Sequence, residues 1–120
     1  MSSGPATVLV VDDDEATRGA LISLLESEGY RALGVGDGAQ ALAACEKELP
    51  NLILLDLMMP VMDGWEFLEQ WRARRPPDAR CPVVLLSGLS FIRDAPGVAD
   101  FLPKPIDVSR LRSCLQRFLD

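Results

Sequence analysis

Five short apolar runs alternate with helical segments along this chain of 120 residues. Thr7–Val11, Arg31–Val35, Leu52–Leu55, Val83–Leu86 and Val98–Leu102 read as strands. Most of them are apolar at successive positions instead of at every second one, the pattern of a parallel strand covered on both faces. Between them, Glu15–Ser27 carries small and apolar residues at helical spacing (Ala16, Gly19, Ala20, Leu21, Leu24, Leu25), and Gly29 stops it. Gly36-Asp37-Gly38 is turn chemistry before a helix over Ala39–Glu48. A third helix is predicted from Trp65 to about Arg74, with Asp63 as N-cap and Pro76-Pro77 beyond its end. Trp65, Phe67, Leu68 and Trp71 form a helical stripe that reads as mostly core. A last helix covers Asp107–Leu119. The prediction is one α/β domain over residues 7–119, with 1–6 a flexible lead-in.

The runs do not end at random. Val8-Leu9-Val10-Val11 runs into Asp12-Asp13-Asp14, Leu52-Ile53-Leu54-Leu55 into Asp56, Val83-Val84-Leu85-Leu86 into Ser87, and Phe101-Leu102-Pro103 into Lys104. In an open parallel sheet the carboxyl ends of the strands share one rim, and ligands bind there. Asp12, Asp13 and Asp56 would then crowd together. Like charges at close range destabilise one another unless a cation intervenes. A hard divalent ion with oxygen ligands answers that need, and Mg²⁺, which keeps several waters and uses one or two carboxylates, suits the set. Helix capping is the competing explanation of an Asp cluster after a strand. It accounts for one aspartate, Asp14, and not for Asp56.

Composition narrows the chemistry. With 18 acidic and 12 basic residues the net charge is −6, which repels a nucleic-acid backbone. The run Arg72-Ala73-Arg74-Arg75 reads as a solvated helix end, where cations suit the dipole. No segment has the length to span a membrane, and the N-terminus has no apolar signal core, so a cytoplasmic location is expected. Cys45, Cys81 and Cys114 form neither a zinc pattern nor a redox pair and read as small buried hydrophobes. There is no histidine, which excludes histidine-based nucleophile activation, histidine metal ligation and a phosphohistidine carrier. What remains is carboxylate, hydroxyl and lysine chemistry.

The motifs Val10-Val11-Asp12-Asp13-Asp14, Leu54-Leu55-Asp56-Leu57-Met58-Met59-Pro60, Met62-Asp63-Gly64, Leu86-Ser87-Gly88 and Leu102-Pro103-Lys104-Pro105 occur in order and at family spacing. In them the chain resembles the receiver domains of bacterial response regulators, over about Thr7 to Leu119. The resemblance implies a doubly wound, flavodoxin-like sheet of strand order 2-1-3-4-5 with helices on both faces. It implies that Asp56 is the phosphoacceptor and that Asp13, Asp56 and the Met58 backbone carbonyl ligate Mg²⁺, with Asp12 acting through water. It gives Lys104 and Ser87 the role of contacting the phosphoryl group, with a cis Lys104–Pro105 bond. Ser87 and Phe101 would form the switch, Phe101 acting by packing alone because it lacks the hydroxyl of the commoner tyrosine. Met58 and Leu89 would flank the path of hydrolytic water and set the phosphate lifetime. One stretch departs from the family: residues 88–97 are too few for the usual fourth helix, and Pro96-Gly97 would break one. That helix is expected to be shortened or missing.

The function expected from this resemblance is a phosphoacceptor signalling domain. It would take a phosphoryl group from the phosphohistidine of a sensor histidine kinase or phosphotransfer protein and switch a surface for a downstream protein target. It would contact neither nucleic acid nor membrane directly. Apart from its own phosphorylation and dephosphorylation it would catalyse nothing. With no output domain after Leu119, signalling would pass through a partner, unless the chain is part of a longer protein. One alternative is a phosphorylation-independent interaction module that keeps the fold, which the short 88–97 segment favours and the intact acidic set opposes. Another is a Mg²⁺-dependent aspartyl-phosphate phosphatase. That reading lacks the acid/base aspartate two positions past the nucleophile, where Met58 stands.

Overall fold

The computed structural model describes residues 5–56, 64–74, 81–87 and 98–119. Its elements are β1 (Thr7–Val11), α1 (Glu15–Ser27), β2 (Arg31–Val35), α2 (Gly38–Lys47), β3 (Leu52–Asp56), α3 (Gly64–Arg74), β4 (Val83–Ser87), β5 (Asp100–Pro103) and α4 (Val108–Leu119). All strand pairs are parallel, in the order β2-β1-β3-β4-β5. This is the doubly wound sheet the motifs implied. The switch in strand order falls beside β1, so the rim next to β1 and β3 is the place where a ligand cleft opens.

Alternation within each strand builds two separate cores. Leu9, Val11, Ile53, Leu55, Val83 and Leu85 face one side, where they pack with Ala41, Leu42 and Cys45 of α2 and Phe67, Leu68 and Trp71 of α3. Val8, Val10, Leu52, Leu54, Val84 and Leu86 face the other, against Leu21 and Leu25 of α1 and Leu111, Cys114 and Leu115 of α4. Register follows from this division, because a slip of one residue would exchange the two sets. It is pinned at the start of the sheet by Asn51, whose side-chain oxygen accepts from the Thr7 N–H at 2.8 Å while its own N–H donates to the Thr7 carbonyl.

The helix ends follow their local chemistry. Asp14 caps α1, accepting from the Thr17 N–H at 3.3 Å and from the Thr17 hydroxyl. Asp37 caps α2, accepting from the Gln40 N–H at 2.8 Å, so the helix starts at Gly38, one residue before the sequence pattern placed it. Asp107 caps α4 through the Ser109 N–H at 2.8 Å and therefore stands outside the helix predicted to include it. Gly29 closes α1 at φ +93°, a conformation L-residues avoid.

The stripe on α3 is mostly core, as expected: Phe67, Leu68 and Trp71 are buried, and Trp65 is the exception at 45% exposed. At about 100° per residue, Trp65 lies well off the face that those three share. Ala16, Gly19 and Ala20 are exposed too, so the buried stripe of α1 is narrowed to Leu21 and Leu25 with Leu24 half-covered. β5 begins at Asp100, not Val98, and runs on to Pro103. Pairing nevertheless starts just before it, where the Ala99 N–H donates to the Val83 carbonyl at 2.8 Å. The proposed Asp63 cap, the stop at Pro76-Pro77 and the shortened segment 88–97 lie outside the described residues.

The three cysteines are buried, as expected of small hydrophobes, and none is in a disulfide. Burial pushes the thiols of Cys45 and Cys114 up to about 11, which keeps them protonated and unreactive at neutral pH. Arg72 and Arg74 are exposed at the end of α3, and Arg74 pairs with Glu46 at 3.4 Å. Among the described residues no helix is long and apolar enough to cross a membrane.

Candidate functional site

The site begins with the ends of β1 and β3. β1 is fully buried, and its pairing with β2 continues one step past Val11, where the Asp12 N–H donates to the Val35 carbonyl at 3.1 Å. Asp12 is thereby drawn into the sheet, with no exposed surface at all. Asp56 is the last residue of β3, opposite Leu86 of β4, and is only 5% exposed. Two carboxylates are thus buried side by side. Neither would tolerate this without partners.

Lys104 supplies one. It follows β5 directly, and its ammonium lies 3.0 Å from Asp12 Oδ2 and 3.6 Å from Asp56 Oδ2. The other oxygen of Asp12 accepts from the Asp14 N–H at 2.9 Å. Both oxygens of Asp12 are therefore engaged within the protein. The Lys104–Pro105 bond is cis. Burial pulls the Lys104 pKa down, but the hydrogen bond and charge of Asp12, reinforced by Asp56, outweigh it and hold the ammonium above its ordinary range.

Asp13 completes the cluster. One oxygen from each of Asp12, Asp13 and Asp56 lies within 4.8 Å of the others. Asp13 is exposed, and among the described residues its carboxylate has no hydrogen bond or ion pair. Three carboxylates around one ammonium leave net negative charge at the rim. A donor set of hard oxygens, part buried and part open to water, fits a divalent cation of the Mg²⁺ type, which binds few carboxylates and retains water.

The structure brings Asp12, Asp13, Asp56 and Lys104 together. Ser87 ends β4 beside Pro103 on the same rim, though its hydroxyl lies outside what is described. Phe101 pairs with Leu85 and is half-buried, packed against the core on the α2 and α3 side. Met58 and Leu89 lie outside the described residues. Sequence reasoning missed Arg18, whose guanidinium donates to the Asp12 backbone carbonyl at 2.8 Å. The available signal was Gly34 inside β2, since a glycine in a strand marks close approach by another group.

The profile of the response regulator receiver domain matches residues 8–116. The chain belongs to that family. It is 41% identical over 122 residues to the response regulator PleD of Caulobacter vibrioides, covering 94% of this chain and 26% of PleD. The receiver domain (CheY-like) from Methylobacillus flagellatus superimposes with a TM-score of 0.87 at 28% identity, covering 96% of this chain and 99% of that one. The receiver domain of the sensor histidine kinase PA1611 from Pseudomonas aeruginosa, solved with a magnesium ion coordinated in its active-site cleft, gives 0.86 at 30% identity and covers 96% and 98%. The chain spans about half or less of the length of the curated relatives it matches first, and these relatives include proteins named DNA-binding response regulators. A receiver of two-component signalling is thus the setting in which the acidic rim has to be understood.

Proposed function

We propose that residues 7–119 form a phosphoacceptor unit in which Asp56 receives a phosphoryl group with the help of Mg²⁺. The observation that carries this reading is the shared ammonium. Lys104 bridges two buried carboxylates, Asp12 and Asp56, while Asp13 stands open beside them. Asp12 spends its oxygens on Lys104 and the Asp14 N–H, which suits an outer role through water. Asp13 and Asp56, with the Met58 carbonyl, are then the direct ligands. A divalent cation held there would supply positive charge to the phosphoryl oxygens.

In the transfer, an Asp56 carboxylate oxygen forms a bond to phosphorus as the bond from phosphorus to the donor nitrogen breaks. The electron pair leaves with the donor imidazole, which takes up a proton. Such a step asks the protein mainly for position and charge neutralisation. Lys104 supplies both, and Ser87 would donate its hydroxyl to a phosphoryl oxygen. Movement of Ser87 toward that oxygen would free space for Phe101, whose ring would then shift by packing.

The donor in this reading is a phosphohistidine on a histidine kinase or phosphotransfer protein. An open, mostly apolar groove lined by Leu21, Leu24, Ile106 and Val108 adjoins Lys104 and would seat the face of a partner helix. Three cysteines that form no disulfide suit a reducing compartment, so the cytoplasm is the location proposed. The output is a protein partner of the switched surface. The acid-rich composition disfavours nucleic-acid contact by this unit itself.

Intact mass spectrometry after incubation with acetyl phosphate and Mg²⁺ tests the reading. Wild type is expected to gain one phosphoryl group and Asp56→Asn none; an adduct that persists in Asp56→Asn overturns the assignment. Met58 and Leu89, both without strong hydrogen-bonding groups, are proposed to shield the acyl phosphate from water. Met58→Asn with Leu89→Glu should therefore speed its decay once the donor is removed, and an unchanged decay rate would refute the shielding.

A further inference from the structure

Arg18 is a residue that neither the sequence motifs nor the family roles account for. It stands in the second turn of α1, and its side chain runs back toward the rim, not out to solvent. Its Nη1 donates to the carbonyl of Asp12 at 2.8 Å. Its stem crosses the end of β2. A Cβ placed on Gly34 would sit 3.1 Å from both Cγ and Cδ of Arg18, and one on Gly36 would lie 3.6 Å from Nη1. Gly34 is the glycine this path needs: a side chain there would press on the Arg18 stem and, more tightly, on Ile22, whereas a Cβ on Gly36 would make only ordinary contact with the guanidinium.

The carbonyl it holds belongs to the peptide group joining Asp12 to Asp13. Peptide groups are planar, so fixing that carbonyl fixes the plane from which the Asp13 main chain departs. Everything else nearby anchors Asp12 or Asp14: the Val35 carbonyl, Lys104 and the Asp14 N–H hold Asp12, and Thr17 holds Asp14. Asp13 has no such contact of its own among the described residues. The orientation of its carboxylate toward Asp56 depends on the peptide plane that Arg18 clamps.

We propose that Arg18 is a positioning residue for the cation site, setting Asp13 through the Asp12 carbonyl across the space left by Gly34. The proposal rests on the Mg²⁺ reading above. It also predicts a sign that charge alone would reverse. Arg18 is a cation near three carboxylates, and by electrostatics its removal should tighten binding of a second cation. Positioning predicts the opposite, because outer-shell groups that orient a ligand typically contribute 10–100-fold in metal affinity.

The test is Mg²⁺ titration of the purified protein by calorimetry, with no phosphodonor present, alongside thermal melts without Mg²⁺. Arg18→Met keeps the stem and removes the guanidinium; its Mg²⁺ dissociation constant is expected to rise about tenfold. Arg18→Lys restores the charge with a single donor and should recover part of that loss. Gly34→Ala pushes on the Arg18 stem and on Ile22, whose Cδ1 would lie 2.6 Å from the new Cβ, and should weaken Mg²⁺ binding in the same direction. A merely structural role for Arg18 would lower the melting temperature of Arg18→Met and leave its Mg²⁺ affinity unchanged. An affinity that is unchanged or tighter in Arg18→Met overturns the proposal while the Mg²⁺ reading stands. A wild type that binds no Mg²⁺ overturns both.

Discussion

At the scale of single residues, the site is a problem of unlike burial. Asp12 and Asp56 are enclosed, Asp13 is open, and one ammonium serves the two enclosed groups. Removing that ammonium takes an ion pair from both buried carboxylates. Lys104→Met is expected to cost about 1–3 kcal/mol in urea unfolding at neutral pH. The pH dependence has a definite sign. The folded-state pKa of Lys104 lies above the ordinary 10.5, so the contribution is complete below pH 10.5 and disappears as pH rises through the higher folded value. The gap between wild type and Lys104→Met should therefore hold steady from pH 7 to 10 and close above that window. A gap that is already closing between pH 7 and 9 would contradict the assignment.

At the scale of elements, the β1-α1-β2 unit has the bounds its apolar pattern predicted, because each end carries explicit chemistry: Asp14 as cap, Gly29 as stop. Gly29 offers a clean check. Nothing lies within 4 Å of a Cβ built there, so Gly29→Ala meets no steric neighbour and tests the backbone conformation alone. A cost of about 1–2 kcal/mol is expected in denaturant unfolding. A neutral result would mean that the turn relaxes freely. Other elements were less legible. β5 is short and sits at the sheet edge, so its start depends on one pairing bond and not on an apolar run. Trp65 stands apart from Phe67, Leu68 and Trp71 because angular position on the helix, and not aromatic character, decides which side chains reach the core. The carboxylates and Lys104 were legible, since each ends an apolar run. Arg18 was not, because its role depends on a contact between α1 and the loop before it, and the glycine in β2 signals close approach without naming the partner.

At the scale of the whole molecule, the sheet is a partition. Every strand contributes to both cores, and neighbours in sequence fall on opposite sides of it. Ile53 and Val83 are register partners that share the α2 and α3 side, whereas Val84, next to Val83, belongs to the α1 and α4 side. Covalent adjacency and energetic adjacency therefore part company. Ile53→Val combined with Val84→Ala should give a loss equal to the sum of the single losses within about 0.3–0.5 kcal/mol, because the two cavities open into different rooms. Ile53→Val combined with Val83→Ala should depart from its sum by about 0.5 kcal/mol or more, since both open the same one. Equal departures in the two pairs, measured by urea unfolding of the three single variants and the two doubles, would mean that the sheet transmits strain from face to face. If the pairs differ as expected, each face can drift in sequence on its own, held to the other only by the rim residues at which the two sides meet.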